Sequence, residues 1–232
     1  MTTLSSKTPS ASYGDLLQIS NSNGGIDATA RNIEDGQGTA SPLQLATDSV
    51  NISNGVFTLT GTGRVYKNEW VTMGAIKLPG TKPAAYVDHG IGGAYEFSDA
   101  TDDTVVAVIR LPQDMDKTEA PEIKLGWTSA TADPGDDSKQ VVWQVEYLYC
   151  SAGEDTTAAA QDTVSTTTSM STATNGLVIS TIALDAPATA DQLLLLRIKR
   201  LGADGDDDLG DTALLLGCGM KYTVDKLGAA LS

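Results

Sequence analysis

Residues 141–149, Val-Val-Trp-Gln-Val-Glu-Tyr-Leu-Tyr, constrain this chain more than any other stretch. Val141, Trp143, Val145, Tyr147 and Tyr149 fall on one side of an extended backbone; Val142, Gln144, Glu146 and Leu148 fall on the other. A period of two sustained this long is the mark of a strand with one buried face, because successive strand side chains alternate across the sheet. Nowhere does the sequence space apolar residues at i, i+3, i+4 and i+7 against a polar face, as an amphipathic helix would require. Short apolar or alternating runs recur instead, separated by turn residues. Residues 105–111 read as a strand stopped by Pro112. In residues 122–128, Ile123, Leu125 and Trp127 share a face. Asp133-Pro-Gly-Asp-Asp is a turn, residues 177–184 a further strand, and 212–222 another. Residues 193–200 suit either a short helix or a strand. The strand is preferred because the acidic turn over 201–210 and the run that follows complete a hairpin. The total of roughly seven to nine short strands points to an all-β sandwich or barrel.

The first fifty residues obey a different rule. Leu16, Leu17, Ile19, Ile26, Ile33, Leu43 and Leu45 are isolated among Asn, Gly, Asp and Ser. Such a segment cannot bury enough of its own surface to offset an ordering cost of roughly 1–2 kcal/mol per residue, so it needs another surface to dock on. The expected organisation is therefore an extended N-terminal arm over 1–50, a short β hairpin and linker over 51–100, a β-sandwich over 101–228 and a tail over 229–232. Within the linker region, Asn54-Gly55 is a favoured two-residue hairpin turn joining residues 50–52 to 56–60. Residues 80–97, with Pro83, Gly90, Gly92 and Gly93, read as a long loop or a linker with short strands. Residues 151–174, rich in Thr, Ser and Ala, read as a surface excursion with one edge strand.

Charge narrows the function classes. Thirty acidic residues against 15 basic give a formal charge of −15. That disfavours nucleic acid and anionic membrane surfaces, which are held by clustered Lys and Arg. No apolar run approaches the ~18–20 residues of a membrane helix. Met1 is followed by Thr-Thr-Leu-Ser-Ser-Lys with no apolar signal core, so synthesis in a cytosol is expected. Cys150 and Cys218, each ending an apolar run, are expected to be buried free thiols.

The pattern Tyr13-Gly-Asp-Leu-Leu-Gln followed by Asn21-Ser-Asn-x-Gly, then Asp35-Gly-x-Gly-x-x-Ser41-x-Leu43-x-Leu45, resembles the N-terminal segment of tailed-bacteriophage fibre and head-fibre proteins. Residues 105–228 resemble the jelly-roll-like β-sandwich that follows such arms. The matching pieces are Leu111-Pro112, Trp143-x-x-Glu146-Tyr147, Leu196-x-Ile198-x-Arg200, the Asp-rich turn, and a last strand reaching Tyr222 before Asp225-Lys-Leu-Gly228. The resemblance implies a non-enzymatic virion structural protein, made in the host cytoplasm: a short fibre, collar or adaptor. Its arm, through Tyr13, Leu16, Leu17, Ile19, Ile26, Ile33, Leu43 and Leu45, would bind portal, tail, collar or capsid. Its β domain would self-associate, commonly as a homotrimer. The alternative is a host-receptor or carbohydrate-binding module of a tail or head fibre, or a capsid decoration protein. No cofactor is expected.

The chemistry-bearing residues are few. His89, the only histidine, lies in a Gly-rich stretch, and no G-x-S-x-G elbow accompanies it. Asp204, Asp206 and Asp208 imitate the start of a calcium loop, yet the sixth and twelfth positions are Leu209 and Leu215 rather than Gly and Glu. They remain weak metal candidates, as do Asp133, Asp136 and Asp137. Glu146 is the best single carboxylate for glycosidase chemistry, though no partner can be assigned. Trp70, Trp127 and Trp143 are candidate sugar platforms. Trp127 and Trp143, with Val145 and Tyr147, sit at core spacing and are expected inside.

Overall fold

The computed structural model describes residues 17–20, 25–35, 37–53, 65–129, 139–188 and 192–224. The chain divides into two units, Met1–Thr58 and Leu59–Ser232. Among the described residues it is all β, with no α-helix and one 3₁₀ turn at Met73–Ala75.

In the first unit the expected extended arm pairs with itself. Strands β1 (Leu17–Ile19), β2 (Arg31–Asp35), β3 (Ala40–Leu45) and β4 (Val50–Ile52) form a four-stranded antiparallel sheet in sequence order. The Asp and Gly residues that break up the apolar pattern build its corners. The Asp35 carboxylate accepts the amides of Gln37 and Thr39 at 2.9 and 2.8 Å, and Gly38 takes a φ of +84° that glycine adopts without strain. Asp27 holds Arg31 through a forked pair at 2.9–3.2 Å. The second strand of the hairpin expected over residues 50–60 lies outside the described residues. Val50–Ile52 pairs backwards with Leu43–Leu45, and the Asn54-Gly55 turn lies outside the described residues. No described residue of this unit is buried.

The second unit is a β-sandwich. One sheet has the order β11 (Asp162–Ser169), β10 (Gln140–Cys150), β13 (Leu193–Arg200), β8 (Thr104–Arg110). The other runs β12 (Val178–Ala183), β9 (Glu122–Thr128), β14 (Ala213–Val224), β7 (Gly92–Phe97), β6 (Ala85–His89), with β5 (Val65–Val71) also on β14. β14 organises this second sheet. One edge pairs with β9, while its start pairs with β7 and its end with β5. The sandwich therefore begins before residue 100. Residues 65–97, expected to be hairpin and linker, supply three of its strands. β6 and β7 are short strands within the stretch read as loop or linker, and Gly90, at φ +59°, is their hairpin corner.

The core fills the space between the sheets. Trp143 packs edge-on against Phe97 with ring centroids 5.1 Å apart and lies 6.0 Å from Trp127. Trp127, Trp143, Val145 and Tyr147 are all buried, as their alternation requires. The Trp127 indole N–H donates to Ser180 Oγ at 2.8 Å, so its polar end is satisfied. β13 is a strand, with Leu194, Leu196, Ile198 and Arg200 facing inward. Cys150 and Cys218 are buried and unbridged.

Candidate functional site

On the outer face of the six-stranded sheet, three strand positions lack side chains: Gly126 in β9 and Gly217 and Gly219 in β14. Gly126 is paired with Gly217. Trp70 of β5, paired with Gly219, lays its indole across the strip they leave. A Cβ at Gly219 would sit 3.0 Å from Trp70 Cδ2, one at Gly217 3.9 Å from Cε3, and one at Gly126 3.7 Å from Cη2. The same Gly126 position lies 3.7 Å from Leu177 Cδ1 and 3.6 Å from Ile179 Cδ1, so the three apolar side chains converge there. Trp70 is nevertheless 53 % exposed. A tryptophan that rests on bare backbone, with over half its surface in water, offers a broad apolar plane to a ligand.

A charged row adjoins this plane. Glu122 accepts hydrogen bonds from Lys124 at 2.8 Å and Lys221 at 3.2 Å, and Lys124 also donates to Thr181 Oγ1 at 2.8 Å. The Lys221 ammonium stands 4.4 Å from the centre of the Tyr66 ring, a second exposed aromatic. The hydrogen bond from Lys124 holds the Glu122 carboxyl below its ordinary range; burial opposes this, and Lys221 adds to it. Aromatic surface beside ionised donors and acceptors can stack a ring and hydrogen-bond its substituents.

The other residues singled out by sequence fall elsewhere. Leu17 and Ile26 are exposed, while Ile19, Ile33, Leu43 and Leu45 are half-buried in the N-terminal sheet; Tyr13 and Leu16 lie outside the described residues. His89 ends β6, paired with Gly92. Glu146 faces outward on the four-stranded sheet, bound by Arg197 at 2.7 Å and Lys199 at 3.2 Å. Burial pushes its carboxyl up, but these two cations outweigh that and hold it below the usual value.

The acidic metal candidates have other partners in the structure. Asp204 and Asp206 are exposed; Asp204 serves the turn by accepting the Asp206 amide at 3.0 Å, and Asp208 accepts the Gln140 amide at 2.5 Å. Their neighbour Asp207, part of the same acidic cluster, forms a fully buried ion pair with Arg200. The acidic turn is thus wrapped around an arginine. Among the described residues no group of three or more His, Cys, Asp or Glu converges to hold a metal; Asp133, Asp136 and Asp137 lie outside them.

No family model matches the chain, and no curated protein matches it. Solved structures similar to it include a family two carbohydrate esterase from Cellvibrio japonicus, at 8 % identity and TM-score 0.33, covering 72 % of this chain and 36 % of that one. The chain thus spans little more than a third of that esterase. The xylan-binding module CBM15 has 10 % identity and TM-score 0.35, covering 72 % of this chain and 100 % of that one. The family 11 carbohydrate-binding module of a Clostridium thermocellum cellulase has 10 % identity and TM-score 0.27, covering 77 % of this chain and 92 % of that one.

Proposed function

We propose that the chain is a non-catalytic carbohydrate-binding protein whose outer six-stranded face holds the glycan and whose N-terminal sheet attaches it to a larger assembly. The observation that carries this reading is Trp70 lying on the Gly126–Gly217–Gly219 strip beside the Glu122–Lys124–Lys221 row. Sugar rings have an apolar face that covers an indole and hydroxyls that take up charged donors and acceptors. Covering the exposed half of a tryptophan removes on the order of 100 Å² from water, about 2–3 kcal/mol before ordering costs. The test is a glycan array followed by calorimetry on whichever polysaccharide binds. Trp70→Ala should weaken binding by about ten-fold or more while the fold stays intact. An intact protein that binds no glycan, or one whose binding ignores Trp70, overturns the assignment.

The attachment part rests on a separate observation. No described residue of the N-terminal sheet is buried, and Leu17, Ile26, Val50 and Ile52 are among its exposed apolar residues. A small sheet whose described residues include none that is buried needs a further surface to complete it. Taken with the phage-fibre resemblance, the partner we infer is another virion protein. Deleting residues 1–58 should leave the sandwich folded and abolish incorporation into particles. The patch of Trp70, Leu177 and Ile179 would also suit a subunit contact in a homotrimer. Sedimentation decides between the two: if Trp70→Ala dissociates an oligomer without changing glycan binding, the patch is an interface.

A further inference from the structure

The outer face of the four-stranded sheet carries a different chemistry from the Trp70 face. Its register places Leu148 beside Leu195 and Leu195 beside Val108. One row along, Glu146 lies beside Arg197 and Arg197 beside Val106. The result is an aliphatic floor with an ion pair at one end. The loop after β10 walls it with Thr156 and Ala158–Ala160, forming a groove of about 350 Å³. The wall is held by its own hydrogen bonds. Glu154 accepts the Ser151 amide at 2.6 Å, Asp155 accepts the Thr157 amide at 2.8 Å, and the Gln161 amide donates to the Tyr147 carbonyl at 2.7 Å. Arg197 also borders a second, polar recess of about 210 Å³ that includes Lys82, Asp102 and Lys199. Three cations here face two carboxylates, Glu146 and Asp102, in a chain of formal charge −15. Arg197 remains 55 % exposed and holds Glu146 through Nη1 at 2.7 Å, so the rest of its planar fork can take a second carboxylate.

We propose that this groove binds an extended peptide segment of a partner protein, one that sets a carboxylate two residues from an aliphatic side chain, so that both face the floor. The aliphatic group covers Leu148 and Leu195, and the carboxylate meets Arg197 and Lys199. A glycan is the poorer occupant because the floor offers no aromatic plane. A phosphodiester chain is disfavoured by Glu146, Asp102 and the net charge. The alternating character of a strand-like peptide, with side chains to opposite sides, suits a long shallow groove.

The test uses the full chain, ¹⁵N-labelled, titrated by NMR with acetyl-Leu-Ser-Asp-Ser-amide, its Asn counterpart, and polygalacturonate. The Asp peptide should give saturable shifts confined to residues 106–108, 146–148, 156–160 and 195–199. The Asn peptide should bind at least about five-fold more weakly, and added salt should weaken the Asp peptide. Ala159→Glu, on the exposed wall and away from the ion pairs, should cost about ten-fold in affinity with the spectrum otherwise retained. Arg197→Gln should remove the preference for Asp over Asn. No shift with the Asp peptide at millimolar concentration overturns the proposal, as do shifts on the Trp70 face. Tighter binding of polygalacturonate at the same residues also overturns it, making the groove an anionic-glycan site.

Discussion

Arg200 is the residue whose loss should be felt furthest. Its side chain is fully buried, as is that of Asp207. Nε and Nη2 donate to the two Asp207 oxygens at 3.0 and 2.7 Å. Nη1 donates to the carbonyls of Phe97 and Asp211, and Nη2 to that of Leu209. One guanidinium thus ties the end of β7, the acidic turn and the start of β14 to β13. Arg200→Met keeps most of the volume and removes all five bonds. Asp207 is then left inside with one described partner, the Val142 amide at 3.0 Å. Breaking a buried pair from one side costs about 3–5 kcal/mol, because the surviving charge keeps its desolvation penalty. That is a large part of a total stability of roughly 5–15 kcal/mol. Asp207→Leu alone should cost a similar amount, and the double replacement less than the sum, by more than about 1 kcal/mol. Urea unfolding reads all three, with an unchanged slope showing that the same surface unfolds. Neither calcium nor a chelator should move the wild-type midpoint, because the turn is closed by arginine. An Arg200→Met cost under about 1 kcal/mol, or additive single replacements, would refute the reasoning.

Three further outcomes follow from other places in the sandwich. A Cβ at Gly219 would lie 2.9 Å from the Glu69 carbonyl and 3.0 Å from Trp70, so Gly219→Ala should lift the indole, lower stability by about 1–3 kcal/mol and weaken glycan binding, read by urea unfolding and calorimetry. The Glu122 carboxyl titrates below its ordinary 4.5, chiefly through Lys124, so its contribution is full above that pH and is lost as pH falls through the folded value; urea midpoints of wild type and Glu122→Gln should converge in acid, and parallel curves would contradict this. Burial pushes the Cys218 thiol up to about 12, so thiol reagents at pH 8 should modify it only after unfolding, and prompt reaction in the native protein would contradict the packing.

The parts of the fold that the sequence disclosed are those where one face is apolar and the other polar. β10 is the clearest, and its inward residues Val141, Trp143, Val145 and Tyr147 are all buried. β13 suits helix or strand because four consecutive leucines carry no period; the acidic turn over 201–210 and the run after it break the tie by completing a hairpin. Arg200 sits on the same face as Leu194, Leu196 and Ile198, so its burial was readable. An inward arginine followed by an aspartate-rich turn implies an internal partner, a stronger inference than calcium from the same aspartates. β7 opens on Gly92 and Gly93, which have no side chains with which to show a period, and β6 is only five residues long.

The Trp70 site was hidden for a deeper reason. Its platform is made of absences, Gly126, Gly217 and Gly219, and these meet Trp70 only because β14 pairs with β5 on one edge and β9 on the other. A glycine inside an otherwise apolar strand does signal a close approach by something. The runs Leu125-Gly-Trp127 and Leu216-Gly-Cys-Gly-Met220 carry that signal. What the linear sequence withholds is the identity of the approaching group, since residue 70 and residue 219 become neighbours only through long-range strand pairing. The same argument runs through the N-terminal unit. Its Asp and Gly corners close a sheet locally, as Asp35 and Gly38 do, while what covers its exposed Leu17, Val50 and Ile52 is not written in the local sequence.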